Sequence, residues 1–202
     1  MRLLDLCCGS KSVGKALEGI VRVYYTVDNA RKHKPTVLCD IRTWDYKTDL
    51  AGQDFDVVWA SPPCTEYSLA KAGKVRDLDT ADSIVARCLE IIEWVKPKWF
   101  VIENPATGLL HTRPIMKPWS IYKQKCSYCH YGMEYRKYTH IWTNRPGVKL
   151  NACNKAHPCV HRARRRRHPC VLCMSRRPGE GRITGVVARG MIPRQLVLTF
   201  LS

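Results

Sequence analysis

The chain has 202 residues, enough for one domain with a full hydrophobic core, and its apolar and charged fractions of 45% and 25% are ordinary for a globular protein. Its formal net charge of +17 is not ordinary and indicates a polyanionic partner, most simply a nucleic acid. No apolar run reaches the roughly 18 residues of a membrane span. The first residues also lack a signal-peptide pattern, so we predict an intracellular monomer without a membrane segment. The 11 cysteines are then expected to be reduced thiols and metal ligands rather than disulfides.

Residues 1–120 alternate strand-like and helix-like segments, which is the pattern of an α/β domain. Short apolar strands are predicted at residues 2–7, 21–27, 36–38, 55–60 and 98–102. A helix is predicted to begin at Ser12, and a longer amphipathic helix to cover residues 80–95. The composition changes at Arg145. Residues 145–202 contain 13 Lys and Arg but one acid, Glu180, so +12 of the net charge lies there.

Three polar features follow consecutive predicted strands. The first strand leads into Cys7, Cys8 and Gly9, a turn that lets backbone N–H groups approach a polar cofactor group. Asp28 ends the second strand, where an acid is well placed to bind a ribose diol. Asp40 ends the third strand, where it can accept from an adenine amino group. Each acid alone is more often a turn or cap residue, but the three features together favour a nucleoside cofactor.

Cys64 and Glu103 are the most informative pair in the sequence. Cys64 follows Pro62 and Pro63, which stiffen the loop because each proline fixes φ near −65°. Both residues come just after apolar strands, and ligands of open α/β sheets bind at that edge. A thiolate can add to an electron-poor pyrimidine while a protonated carboxyl stabilises the ring nitrogen. Taken singly, a buried structural thiol and a helix-start carboxylate are the alternatives.

In this order and spacing, the motifs resemble those of the cytosine-5 DNA methyltransferases, in particular the short forms of phages and viruses. The Pro-Pro-Cys and Glu-Asn-Pro motifs are specific, and the glycine turn is less so. The resemblance covers most of the chain except residues 145–185. The segments that carry it are Asp5-Leu-Cys-Cys-Gly9, Val27-Asp28, Cys39-Asp40-Ile41, Ser61-Pro-Pro-Cys-Thr-Glu-Tyr-Ser68, Ile102-Glu-Asn-Pro105, Tyr135-Arg-Lys-Tyr-Thr-His-Ile-Trp-Thr-Asn144 and Ile192-Pro-Arg-Gln-Leu196.

The resemblance implies a Rossmann-like fold that uses S-adenosylmethionine to methylate DNA. Cys64 would attack C6 of a flipped cytosine, and Glu103 would bind N3 and the exocyclic amine. The turn at Cys7, Cys8 and Gly9 would face the methionine end of the cofactor. The resemblance also assigns cofactor contacts to the ribose-binding Asp28, to the adenine-binding Asp40 and Ile41, and to Asp5 and Pro62.

The sequence departs from this family's pattern at several positions. Lys11 and Ser12 stand where the cofactor loop usually has a second glycine pair. A late strand usually offers two arginines, and the candidates here are Arg136, which we assign to the catalytic group, and Lys137. About forty residues replace the large target-recognition region. We therefore predict a catalytic core at 1–144, a basic Cys- and His-rich insert at 145–185, and a segment at 186–202 that returns to the core.

The cysteine spacing predicts a structural zinc site. Two CxxC pairs, at 126–129 and 170–173, flank Cys153 and Cys159, and four thiolates are a common zinc shell. The loop favours Cys126, Cys129, Cys153 and Cys159 as ligands because it is shorter than the loop to the second CxxC. The histidines that compete for a place are His130, His157, His161 and His168.

The arginine tract at 162–167 is typical of a phosphate-binding strip, or of a nuclear-import patch in a eukaryotic host; the protein would be cytoplasmic in a prokaryote. The aromatic residues from Tyr131 to Trp142 are expected to pack a strand against the core. Three functions are compatible with the sequence. They are a cytosine-5 methyltransferase acting on DNA, the same chemistry on RNA, and a non-catalytic nucleic-acid-binding relative.

Overall fold

The computed structural model describes residues 1–160 and 191–200, together with two short strands at 170–171 and 181–182. The strands are β1 (Arg2–Leu6), β2 (Val23–Asp28), β3 (Val37–Leu38), β4 (Val57–Ala60), β5 (Trp99–Pro105), β6 (Lys123–Ser127), β7 (Tyr138–Thr143), β8 (Cys170–Val171) and β9 (Gly181–Arg182). The α-helices are α1 (Ser12–Ala16), α2 (Tyr46–Asp49), α3 (Leu78–Val95) and α4 (Arg194–Thr199). Short 3-10 helices lie at Arg31–His33, Leu69–Lys71, Leu110–Thr112, Pro114–Met116, Pro118–Tyr122 and Tyr128–Tyr131.

Seven strands form one mixed sheet in the order β3-β2-β1-β4-β5-β7-β6. Strands β1 to β5 are parallel, whereas β7 pairs antiparallel with both β5 and β6. From the neighbours β1 and β4, the chain continues to opposite sides of the sheet. The carboxyl ends of strands at such a switch point border a crevice, and Leu6 and Ala60 are paired there. The predicted α/β fold class is confirmed.

Both faces of the sheet are covered, which explains why the central strand β4 is apolar and buried throughout. Side chains alternate between the faces, so Leu4 and Leu6 of β1 lie in a different buried cluster from Leu3. Helix α3 covers the first face. It begins at Asp77, whose side chain accepts from the Thr80 amide at 3.0 Å.

The other face is covered by α1 and α4, which contact each other. Leu196 of α4 is fully buried, and the ring of Phe200 meets that of Trp59 edge-on at 5.5 Å. The amide of Ile192 donates to Ser12 Oγ at 3.2 Å. The C-terminal segment thus closes over the start of α1, next to the turn that follows β1.

The strands and long helix expected from the sequence are present within one to three residues. Of the aromatic residues expected to pack a strand against the core, Tyr138 and Trp142 belong to β7, whereas Tyr131 and Tyr135 are buried before that strand begins. Of the predicted zinc ligands, Cys126 belongs to β6 and Cys129 to the 3-10 helix that follows it, within the predicted catalytic core. The arginine tract at 162–167, with Cys173, His161 and His168, lies outside the described residues.

Candidate active site

A cavity of about 300 Å³ opens at the switch point of the sheet. The turn after β1 borders one side, and the loop after β4, which carries Cys64, borders the other. Glu103 of β5 and Lys137 complete the side opposite the turn. A smaller cavity of about 50 Å³ shares Cys7, Asp28 and Pro63 with the first, so the two adjoin. Two predicted adenine-binding residues, Asp40 and Ile41, line the smaller cavity.

The turn after β1 is held in an unusual backbone conformation. Cys7 and Lys11 have φ of 56°, and Gly9 has φ of 48°, a region that glycine adopts most easily. The Gly9 amide donates to Asp28 Oδ2 at 2.9 Å, which fastens the turn to the end of β2. Lys11 Nζ donates to the carbonyl of Lys34, so its side chain reaches across to the 31–34 segment. Lys11 therefore anchors the loop, and it is not among the residues that line the cavity.

Asp28 and Asp40 are already engaged in local hydrogen bonds. Asp28 accepts from the amides of Gly9 and Ala30, at 2.9 and 2.8 Å. Asp40 pairs with Arg42, and hydrogen bonds from that side chain hold the pKa of Asp40 below its usual range. Carboxylate oxygens accept more than one hydrogen bond. Both acids thus keep acceptor capacity at the rims of the two cavities.

Asp5 lies behind the cavity rather than on its wall, because its side chain is 1% exposed. Tyr24 donates to Asp5 Oδ2 at 2.6 Å, and the Gly14 amide donates to the same hydroxyl at 3.3 Å. Burial raises the pKa of Asp5 to about 7, against the lowering effect of the Tyr24 hydrogen bond. Asp5 therefore supports α1 through the Tyr24 hydroxyl. The predicted cofactor residues that line the larger cavity include Cys7, Cys8, Gly9 and Pro62.

Cys64 is held in the cavity by the strand next to it. The side-chain amide of Asn104, which is buried in β5, donates to the Pro62 carbonyl at 3.0 Å. This bond ties the Pro-Pro-Cys loop to the strand that carries Glu103. Burial, and next the charge of Glu103, raise the pKa of the Cys64 thiol, and the charge of Lys137 opposes that shift.

The carboxyl group of Glu103 is buried and has two donors. The Tyr128 hydroxyl donates to Oε1 at 2.7 Å, and Lys137 Nζ lies 3.3 Å from the same oxygen. Lys137 also lies over the Tyr128 ring, with Nζ 4.6 Å from the ring centroid. Glu103 and Tyr128 are 6% and 0% exposed. A buried charge needs such partners, so this cluster fixes the acid in place.

The structure brings Lys137, rather than Arg136, to Glu103. Arg136 is exposed, and its guanidinium lies 4.9 Å from the Tyr138 ring centroid at the surface. Neighbouring residues of an extended chain point to opposite sides, so only one of the two can face the cavity. Tyr128 was absent from the predicted site, because no local pattern relates it to an acid 25 residues earlier.

A separate cluster of thiols lies beyond Tyr128. The sulfur atoms of Cys129, Cys153 and Cys159 lie within 4.8 Å of one another, and all three residues are buried. The Cys159 amide is 3.3 Å from Cys153 Sγ, and Ser127 Oγ is 3.4 Å from Cys129 Sγ. Burial raises the pKa of Cys129 to about 12.

Cys126, the fourth predicted zinc ligand, is not part of this cluster. It is fully buried in the hydrophobic core beside Tyr128 and Ile141. Strand β6 turns its side chain to the core, whereas the 3-10 helix that follows turns Cys129 to the other thiols. His130, whose Nε2 lies 3.3 Å from the His157 carbonyl, is close in the chain to the cluster.

Among the described residues, no helix has the length and apolar character that a membrane crossing requires.

Comparison with known proteins identifies one family. The family model described as C-5 cytosine-specific DNA methylase matches residues 2–139. A protein of Frog virus 3 (isolate Goorha), named "Probable DNA (cytosine-5)-methyltransferase", is 35% identical over 204 aligned positions. That alignment covers 93% of this chain and 86% of the viral protein.

Two solved structures share the fold. One is described as a DNA modification methyltransferase encoded within a prophage of E. coli, with a TM-score of 0.54 and 14% identity over 71% of this chain. The other is the Entamoeba histolytica methyltransferase EhMeth, with a TM-score of 0.56 and 16% identity over 76% of this chain. The matched part covers 46% and 57% of those two chains, so this chain spans about half of their length.

Proposed function

Because the chain belongs to the C-5 cytosine-specific DNA methylase family and is a DNA (cytosine-5)-methyltransferase, we propose that its reaction passes through a covalent adduct at Cys64. One observation carries this mechanism. The thiol of Cys64 and the carboxyl of Glu103 line the same cavity, at the edge of the sheet where ligands of α/β folds bind.

The two adjoining cavities suit the S-adenosylmethionine that the family implies. The smaller one combines apolar walls from Ile41 and Ile84 with the carboxylate of Asp40, a suitable environment for adenine. Asp28 lines both cavities, so it would lie beside the ribose of a cofactor that extends from one cavity into the other. The turn at Cys7, Cys8 and Gly9, with Pro62, would hold the methionine end. When bound, the cofactor supplies an electrophilic methyl group.

The residues of the larger cavity have complementary roles in this proposal. The thiolate of Cys64 forms a bond to C6 of cytosine. The electron pair of the C5–C6 double bond shifts into the ring, where it is stabilised when Glu103 shares a proton with N3. C5 thereby becomes nucleophilic and would accept the methyl group that the bound cofactor supplies. Loss of the C5 proton then returns the electron pair and breaks the bond between sulfur and C6. Lys137 holds Glu103 and favours the thiolate of Cys64 by its charge.

A fluorinated substrate tests the covalent step. Fluorine at C5 cannot leave as a proton does, so duplex DNA with 5-fluorocytosine should be trapped on the protein after methyl transfer. A denaturing gel should show a shifted band that requires fluorine and cofactor and is absent in Cys64→Ser. The same duplex without fluorine is the control. A band of equal intensity in Cys64→Ser would show that another residue is the nucleophile.

We propose that DNA is the polyanionic partner of this chain. A DNA substrate implies that the protein acts inside the cell, and we propose that it acts as a monomer. The insert at 145–185 would contact phosphates, and the segment at 186–202 would complete the core. RNA is the competing substrate for the same chemistry, and a relative that only binds would form no product. Mass spectrometry of nucleosides from cells that express the chain separates the three. The proposal requires 5-methylcytosine in DNA.

A structural zinc ion at Cys129, Cys153 and Cys159 is the second part of the proposal. Three thiolates at this separation match the soft donor set that Zn²⁺ prefers, and a fourth ligand completes a tetrahedral site. Metal analysis should find about one zinc per chain. Cys153→Ser should lose the metal, whereas Cys126→Ser, also a buried thiol but outside the cluster, should retain it. Metal-free, folded wild-type protein would rule the site out.

A further inference from the structure

Tyr128 is the buried side chain in closest contact with Glu103. Its hydroxyl lies 2.7 Å from Oε1, and the tyrosine is fully buried. An ionised carboxylate can only accept hydrogen bonds, so the Tyr128 hydroxyl is the donor in this contact.

The backbone holds Tyr128 and Lys137 together as a pair of donors. The Tyr128 amide donates to the Lys137 carbonyl at 3.1 Å, which closes the segment between β6 and β7. The two side-chain donors also meet, with Lys137 Nζ 3.4 Å from the Tyr128 hydroxyl. One short hairpin thus presents both donors to an acid on the neighbouring strand β5.

Tyr128 and Lys137 both donate to the same oxygen of Glu103. Among the described residues, Tyr128 and Lys137 donate to Oε1, and no residue donates to Oε2. An oxygen that already accepts from two donors is poorly placed to carry a proton of its own, so a proton on this carboxyl belongs on Oε2.

We propose that Tyr128 is a positioning residue for the catalytic acid, holding Oε1 so that Oε2 carries the proton to the base. This inference rests on the proposed function and adds to it a residue that works through Glu103. In this inference, Oε1 of Glu103 accepts from Tyr128, and Oε2 carries the proton. Tyr128 itself does not touch the base.

The test is a double-mutant cycle between Tyr128→Phe and Glu103→Gln, measured as single-turnover methylation of duplex DNA. Tyr128→Phe keeps the ring and removes one donor to a charged group, so the rate should fall by about tenfold to a hundredfold. In the Glu103→Gln background the same change should alter the rate by less than about threefold, because the carboxylate through which Tyr128 acts is gone. Cofactor and DNA affinities should stay unchanged in Tyr128→Phe.

Tyr131→Phe is the matched control. It removes a buried hydroxyl from the same 3-10 helix, one that accepts from the Asn151 amide at 3.0 Å and does not contact Glu103. We expect its loss of rate to be equal in both backgrounds. If Tyr128→Phe behaves in the same additive way, or leaves the wild-type rate intact, the inference is overturned while the proposed function stands. If the wild type forms no 5-methylcytosine, the proposed function fails, and this inference fails with it.

Discussion

At the scale of single residues, the pKa of Cys64 depends on an acidic and a basic neighbour, Glu103 and Lys137. Burial disfavours its thiolate, the charge of Glu103 disfavours it further, and the charge of Lys137 favours it. Since only the thiolate is nucleophilic, the two neighbours act on the reaction in opposite directions before any base is bound. In the proposed reaction, a Glu103 that shares a proton with the base would no longer disfavour the thiolate by its charge.

The opposing charges predict opposite effects on thiol reactivity. Glu103→Gln removes a negative charge, so the pKa of Cys64 should fall and its alkylation by iodoacetamide near neutral pH should become faster. Lys137→Met should raise that pKa and slow the reaction. Half a pKa unit in each direction corresponds to about a threefold change in the thiolate fraction. Mass spectrometry of the Cys64 peptide measures the rate, with the Cys39 peptide of the same digest as internal control. Changes in the same direction for both variants would contradict this electrostatic account.

At the scale of elements, the turn after β1 depends on a close approach between α1 and β2. A Cβ atom added at Gly14 would lie 2.2 Å from a ring carbon of Tyr24. That ring carries the hydroxyl that donates to Asp5 of β1 and accepts from the Gly14 amide. The glycine is therefore needed for packing, since a side chain there would push the helix away from the turn it follows.

Gly14→Ala should destabilise the protein by about 1–3 kcal/mol, the usual cost of overpacking. It should also weaken cofactor binding, because the displaced helix carries the turn with it. Urea unfolding gives the first quantity and a cofactor titration the second. Lys15→Ala, at the adjacent exposed position, should change neither. Combining Gly14→Ala with Tyr24→Ala should remove most of the extra cost of the first substitution, and full additivity would refute the clash.

The sequence predicts the elements well where both faces of a strand are buried. Residues 57–60 and 99–102 are apolar throughout; Cys64 lies four positions after the first run, and Glu103 directly follows the second. The sequence does not predict the site residues whose positions depend on contacts between neighbouring strands. No local sequence feature distinguishes Cys126 from Cys129 as a metal ligand. The hairpin of β6 and β7 places Cys126 in a strand that faces the core and Cys129 in the 3-10 helix that faces the other thiols. Tyr128 escaped prediction for the same reason.

At the scale of the whole molecule, charge and chemistry are separated along the chain. The described cavity lies in the α/β core, whereas most of the net charge of +17 lies in residues 145–202. Phosphate contacts supply affinity without sequence information. The basic region is thus expected to hold DNA of any sequence, while residues around the Cys64 cavity select the base.

This division predicts the effect of neutralising Arg164, Arg165, Arg166 and Arg167 together. Binding should weaken about equally on target and scrambled duplexes. The log–log salt dependence should flatten by up to roughly 0.9 units for each ion pair with a duplex phosphate that the substitutions remove. Binding isotherms at several salt concentrations provide the measurement. If the variant loses discrimination between the duplexes but keeps its salt slope, these arginines read bases.

The hydrogen bond from Ile192 to Ser12 joins residues 180 positions apart, and Ile192 lines the cavity that Cys64 and Glu103 also line. The acid and its two donors, by contrast, all lie between residues 103 and 137. A chain emerging from the ribosome can therefore assemble Cys64, Glu103 and the hairpin that carries Tyr128 and Lys137 before residues 192–200 have been translated. The side of the cavity next to Ser12 is completed only when residues 192–200 dock on α1. During synthesis, we therefore expect this side of the cavity to form later than the side that holds Cys64 and Glu103.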